Sequence, residues 1–214
     1  MIALSKIIPL GFLSIGIFLL MQVVLPIISF KLWEIGQNYN NSSLISPLNS
    51  NKTGVLGISI QNKDNFSSFI STLKRETQPN YSEFSLSVPR LKIENSKVLV
   101  DSNDLSENLA HLPGSALPGE RGNVFISGHS ALSRFFNFKK AVFEDLTGLK
   151  KGDEIVIEAL GVKYKYEVTE LRVVNPNDLS VINSSESQGR YISLMTCVPP
   201  GLNFKRLVVL GKML

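Results

Sequence analysis

The chain has 214 residues, 43% of them hydrophobic and 19% charged, with a formal net charge of +4, two histidines and one cysteine. One cysteine excludes an intrachain disulfide, one Cys with two His is too small a supply for a Cys₄ or Cys₂His₂ zinc centre, and the apolar content excludes a disordered chain, a collagen or a coiled coil. The +4 is the difference between 22 basic and 18 acidic residues spread along the sequence, with no basic run longer than two, so it carries no duplex-binding stripe and implies no nucleic-acid partner.

From Ile7 to Phe30 the sequence IIPLGFLSIGIFLLMQVVLPIISF has no charged residue. As a helix it is long enough to cross a hydrocarbon core of about 30 Å. A cleaved signal peptide would have a shorter apolar run, about 7 to 15 residues, and a clear small-x-small cleavage site. An uncleaved anchor over residues 1–30 therefore fits better, and the six-residue lead is consistent with a cytoplasmic N-terminus and a soluble part outside the cell. Asn, Ser, Gly and Pro between Asn38 and Gly54 read as a tether. In residues 62–78, Phe66, Phe69, Ile70 and Leu73 stand at helical spacing behind Asp64 or Asn65, which predicts a short amphipathic helix; tether and helix together fill 31–82.

Beyond Glu83 the apolar pattern shortens to strands: Phe84 to Val88, Leu91 to Ile93, Val98 to Val100, Val124 to Ser127, Glu154 to Ala159, Val162 to Val174, Tyr191 to Thr196 and Arg206 to Gly211. Ala159-Leu160-Gly161-Val162 reads as a tight hairpin, and Asp104 to Leu112 and Ala141 to Leu149 read as short helices. About eight short strands with brief helices predict an all-β domain over 83–214, a closed or nearly closed β-barrel.

Three polar residues fall at strand ends. Cys197 closes YISLMTC ahead of the turn Val198-Pro199-Pro200-Gly201, Arg206 opens RLVVLG nine residues later, and His129 follows NVFISG. If the last two strands pair antiparallel, Cys197 and Arg206 are neighbours. A thiolate can attack a carbonyl, an imidazolium can protonate the leaving group, and a guanidinium can stabilise the oxyanion. With ordinary pKa values of about 8.5 and 6.5, only about one singly protonated Cys–His couple in a hundred is thiolate with imidazolium. Arg206 raises that share and burial lowers it. Taken singly, each residue has a plainer reading: a buried thiol, a solvated histidine, an ion-paired arginine. The joint arrangement points to cysteine-dependent acyl transfer.

The segments ISLMTCVPPGLNFKRLVVLG and HLPGSALPGERGNVFISGHS resemble the two signatures of the sortases, membrane-anchored cysteine transpeptidases of bacterial envelopes. The resemblance covers roughly Phe84 to the C-terminus. It implies a sortase-like barrel with Cys197 as nucleophile, His129 as general acid/base, Arg206 as the substrate-carbonyl or oxyanion partner and Thr196 as a residue that shapes the substrate site. It further implies an exported partner with an LPxTG-like sorting signal cleaved between Thr and Gly, a thioester intermediate, and an amine acceptor such as a peptidoglycan cross-bridge or a pilin lysine. His111 lies in the second signature and is assigned a structural or cleft-lining role. Ser193 stands where the signature usually has Thr. The Cys-to-Arg spacing and the Pro-Pro-Gly turn look closer to the class C, D and E branches, and with no Asp-Pro-aromatic lid motif and no second hydrophobic span, a class D- or E-like enzyme is expected over class C.

An L,D-transpeptidase would have Gly before the cysteine and Arg two residues after it, and a papain-like enzyme would place Cys before His; neither matches. The rival from another class is an anchored β-barrel binding module with a non-catalytic thiol. No cofactor is expected, and no metal: Glu107, Asp145 and Glu170 lack the spacing of a calcium site.

Overall fold

Residues 4–40, 58–63, 66–71, 75, 77–130, 141–182, 188–200 and 204–214 are described by the computed structural model. The chain divides into two units, Met1–Ser46 and Pro47–Leu214. In the first, helix α1 spans Leu4–Asn40. Its stretch Gly11–Gly36 is 26 residues long and apolar enough to cross a membrane, rising about 39 Å at 1.5 Å per residue. Phe12, Phe18, Leu20, Leu25 and Leu32 are all exposed on it. The helix runs past the expected boundary at residue 30: Phe30 stacks on Trp33 with ring centroids 5.7 Å apart, and Lys31 pairs with Glu34 at 2.7 Å, both at the i,i+3 spacing that supports a helical turn. Most of the expected tether, from residue 41 onward, lies outside the described residues.

In the second unit, the expected helix in residues 62–78 is instead a β-hairpin. Strand β1 (Ile58–Lys63) pairs antiparallel with β2 (Phe66–Ser71), Ile60 opposite Phe69. Ser67, Ser68 and Ser71 are weak helix formers, Phe and Ile favour strands, and Ile58-Ser59-Ile60-Gln61 alternates as a partner strand. The helical spacing of Phe66, Phe69 and Ile70 was the weaker signal.

The remaining strands are β3 (Glu83–Val88), β4 (Ile93–Leu99), β5 (Leu109–His111), β6 (Gly122–Ser127), β7 (Glu154–Ala159), β8 (Val162–Val174), β9 (Arg190–Val198) and β10 (Lys205–Met213). They form the expected closed barrel in the order β10-β8-β7-β3-β4-β5-β6-β9, with β9 and β10 completing the ring. The first departure is the expected strand Leu91 to Ile93. A 3₁₀ turn, Pro89–Leu91, takes its first residue, Lys92 follows in the left-handed region at φ 56°, and only Ile93 enters a strand; Pro89 offers no N–H to a strand ladder. The expected helix Asp104 to Leu112 is replaced by a turn and β5. Asp104 Oδ1 accepts the Ser106 N–H at 2.9 Å, the side-chain bond by which Asp favours turns over helix interiors. The expected helix Ala141 to Leu149 is a run of i→i+3 turns ending in the 3₁₀ turn Leu146–Gly148. Phe143, Leu146 and Leu149 are its large buried side chains, spaced by three, which suits a 3₁₀ period better than 3.6.

Mixed pairing gives β9 its character. It runs parallel to β6 and antiparallel to β10, and every residue from Tyr191 to Val198 is buried. Val124, Ile126, Ile192, Leu194, Leu207 and Val209 share the face turned into the barrel, where Leu86, Ile155, Ile157 and Val168 are also inaccessible to solvent. Phe125, Met195, Cys197 and Val208 share the opposite face, which is covered by Leu112 and by Val181 and Ile182 of a 3₁₀ turn, Leu179–Ile182. A strand covered on both faces reads as a continuous apolar run, as YISLMTCV does.

The β7–β8 hairpin closes with Ala159 opposite Val162, and its two turn residues, Leu160 and Gly161, have φ of 51° and 78°. Positive φ at both positions is the type I′ geometry that prefers Asn-Gly. Leu160, exposed at the tip, adopts a conformation that disfavours its branched side chain. Leu160→Asn is expected to stabilise the domain by about 0.5–1 kcal/mol, read as a higher urea midpoint with an unchanged slope.

Candidate active site

Cys197 and Arg206 are register partners across β9 and β10, which puts their Cβ atoms about 5 Å apart on one sheet face. His129 arrives from the other neighbour of β9. Ser127, the last residue of β6, lies opposite Met195. Beyond it the Gly128 N–H donates to Met195 O at 3.0 Å, and Thr196 Oγ1 donates to Gly128 O at 2.8 Å. These bonds carry the parallel register past the strand end and set His129 level with Cys197. His129, Cys197 and Arg206 therefore form a row across three adjacent chain segments at one end of the barrel.

Gly128 has a steric reason to precede this histidine. A Cβ there would lie 2.5 Å from Leu109 Cδ2 and 2.6 Å from Phe143 Cδ2, closer than carbon atoms pack. The Phe143 N–H also donates to His129 O at 3.2 Å, so the histidine backbone is held from both sides.

Thr196, expected to shape the substrate site, is buried on the face opposite Cys197, its hydroxyl donating to Gly128 O. Its link to the site runs through the backbone just before His129. Asn123 and Ser193 form a buried pair that sequence reasoning passed over as site residues. Asn123 Nδ2 donates to Ile182 O at 2.9 Å and to Ser193 Oγ at 3.0 Å, and Ser193 Oγ donates to Asn123 Oδ1 at 3.1 Å. The pair ties the 3₁₀ turn Leu179–Ile182 down beside the face that carries Cys197. The available signal was a polar residue inside an otherwise apolar strand, which requires a partner when buried. Glu170, one of the carboxylates weighed for calcium, is engaged by Arg172 Nη2 at 2.7 Å. Among the described residues no three His, Cys, Asp or Glu side chains gather as metal ligands.

Burial decides the electrostatics that the sequence left open. It pushes the Cys197 thiol above its ordinary pKa, with the Arg206 charge opposing the rise. It pushes the His129 imidazole down. Burial also lowers Arg206, with Cys197 acting the other way. A raised thiol beside a lowered imidazole favours the neutral couple, so the thiolate–imidazolium share falls below the roughly one in a hundred of unperturbed groups. The row can still supply a nucleophile, a proton carrier and a hydrogen-bond donor to one carbonyl.

The site's relatives can now be compared. A family model described as "Sortase domain" matches residues 86–214. The chain is 28% identical over 131 residues to "Sortase D" of Bacillus subtilis, covering 59% of this chain and 61% of that protein. It is 34% identical over 132 residues to "Sortase A" of Bacillus anthracis, covering 59% and 57%. The chain thus spans about three fifths of the length of these curated relatives. The solved structure of a lid mutant of sortase A from Corynebacterium diphtheriae superposes with a TM-score of 0.56 at 30% identity, covering 63% of this chain and 70% of that one.

Alkylation tests the balance of charges directly. The rate at which iodoacetamide modifies Cys197 is expected to rise with pH through a midpoint above the free-thiol value of about 8.5, because burial holds the thiol up. Arg206→Gln removes the opposing cation and moves that midpoint higher, so modification at neutral pH slows. A lower midpoint in Arg206→Gln than in the wild type would contradict the assigned sign.

Proposed function

Because the chain belongs to the sortase family, we propose that it is a cysteine transpeptidase that cleaves an LPxTG-like sorting signal between Thr and Gly and passes the acyl group to an amine. The observation that carries this reading is the single row of His129, Cys197 and Arg206 across β6, β9 and β10. An apolar face of Phe125, Met195 and Val208 adjoins Cys197, bounded by Leu112, Val181 and Ile182.

In the first half-reaction the thiolate of Cys197 attacks the Thr carbonyl carbon, and the oxyanion that forms faces the Arg206 guanidinium. The His129 imidazolium gives its proton to the departing glycine amine as the C–N bond breaks, leaving a thioester on Cys197. In the second, an amine attacks the thioester, His129 takes the proton that the amine loses, and the thiolate returns as the new amide forms. The acceptor would be a peptidoglycan cross-bridge amine or a pilin lysine, and the substrate an exported protein. Helix α1 would anchor the enzyme as a single-pass membrane protein with the barrel on the extracellular side. Its Cys-to-Arg spacing and Pro-Pro-Gly turn favour a class D- or E-like enzyme.

Mass spectrometry of the full chain with a panel of LPxTG-type peptides tests this. Wild type is expected to show an acyl adduct on Cys197 and, with an added amine, an amide product. Cys197→Ala should form neither, and Arg206→Ala should lower kcat by about 10²–10³, the usual loss on removing one oxyanion donor. An intact peptide with folded wild-type enzyme would favour a binding barrel with an inert thiol.

A further inference from the structure

We propose that Arg75, which lies ahead of the matched domain at 86–214, is a positioning residue for the loop that packs beside Cys197. Its guanidinium is largely buried and makes four hydrogen bonds. Nε donates to Thr77 O at 2.8 Å and Nη1 to Ser115 O at 2.6 Å. Nη1 and Nη2 grip Asp101 Oδ1 and Oδ2 at 3.3 and 2.9 Å, the two-pronged geometry that only arginine offers a carboxylate.

Asp101 passes this grip on. Its backbone sits in the left-handed region at φ 51°, and Oδ1 accepts the Gly114 N–H at 3.2 Å. Its own N–H donates to His111 Nδ1 at 3.3 Å. On its other side the ring's Nε2 reaches Ala116 O at 3.0 Å and Ser115 Oγ at 2.8 Å. His111 is entirely buried. The His111 side chain, whose Nδ1 also lies 3.5 Å from Asp101 Oδ1, and Arg75 hold the Asp101 carboxyl well below the usual carboxylate range, so the carboxylate persists through mildly acid conditions. Thr77 Oγ1 adds a bond to Glu120, whose Oε2 accepts the Leu117 N–H at 2.7 Å.

All these bonds converge on the loop from Leu112 to Glu120. Leu112 is the loop residue that packs with Cys197, Met195 and Phe125, and its N–H is tied to Phe125 O at 2.8 Å. The chain before the barrel thus sets, through Asp101 and Ser115, the position of a loop that packs beside Cys197, without touching the reacting atoms. A loop that packs beside the nucleophile acts on how the peptide seats and leaves the chemical step alone. The clamp rests on the peptide-cleavage reading for its effect on turnover, and on geometry alone for its effect on the loop.

The test uses the full-length chain and the variants Arg75→Met and Arg75→Lys. Arg75→Met should raise KM for an LPxTG-type peptide by about tenfold, the scale of one lost charge-assisted hydrogen bond, with kcat held within about twofold. Iodoacetamide modification of Cys197 should keep its rate. Hydrogen exchange at the amides of residues 112–117 should accelerate while β7 and β8 keep their protection. Arg75→Lys, which keeps the charge and loses the fork, should fall between, and it serves in place of Arg75→Met if that variant does not fold. Unchanged KM and unchanged loop exchange would overturn the clamp, as would exchange rising equally across the barrel. If wild type cleaves no sorting peptide, the enzymatic reading fails, while the exchange comparison still judges the clamp.

Discussion

The arrangement depends on the register of β9 between a parallel neighbour and an antiparallel one. Antiparallel pairing alone would align Cys197 with Arg206. Only the parallel pairing with β6 places the end of that strand beside the end of β9, and so brings His129 to the same row. A one-residue slip in either pairing would turn a member of the row to the other face. The register is protected because both faces of β9 are buried, so a slip would misplace two sets of apolar side chains at once. The Thr196 bond to Gly128 O secures the parallel side where the ladder ends.

That protection has an electrostatic consequence. The same burial that fixes the row raises the thiol and lowers both the imidazole and the guanidinium, disfavouring the charged form of all three groups. The resting site is therefore a largely neutral thiol and imidazole, with the ion pair as its minor state. A neutral thiol is a poor nucleophile and resists stray oxidation.

Much of the fold was legible because its strands alternate cleanly: β7 and β8 were read with their observed bounds, and their hairpin turn was marked by Gly161. The residues read as site candidates, His129, Cys197 and Arg206, were conspicuous as polar side chains at strand ends. What was hidden shares a physical cause. β5 is three residues long, and β4 has a polar middle, Glu94 to Lys97, so neither carries a period of its own; each exists through its neighbours. The β1–β2 hairpin was masked by an accidental helical spacing of phenylalanines. Asn123, Ser193 and Arg75 bind partners far away in sequence, and no local pattern announces a bond across 40 or 70 residues.

The closed ring also orders events in time. Cys197 and Arg206 are nine positions apart on consecutive strands, but His129 lies 68 positions before Cys197, so its place in the row depends on long-range contacts. Such contacts form late, after the chain between them has found its place. A polypeptide emerging N-terminus first therefore completes the row only once β9 has emerged and paired with β6. Assembly of the row is thereby tied to closure of the barrel.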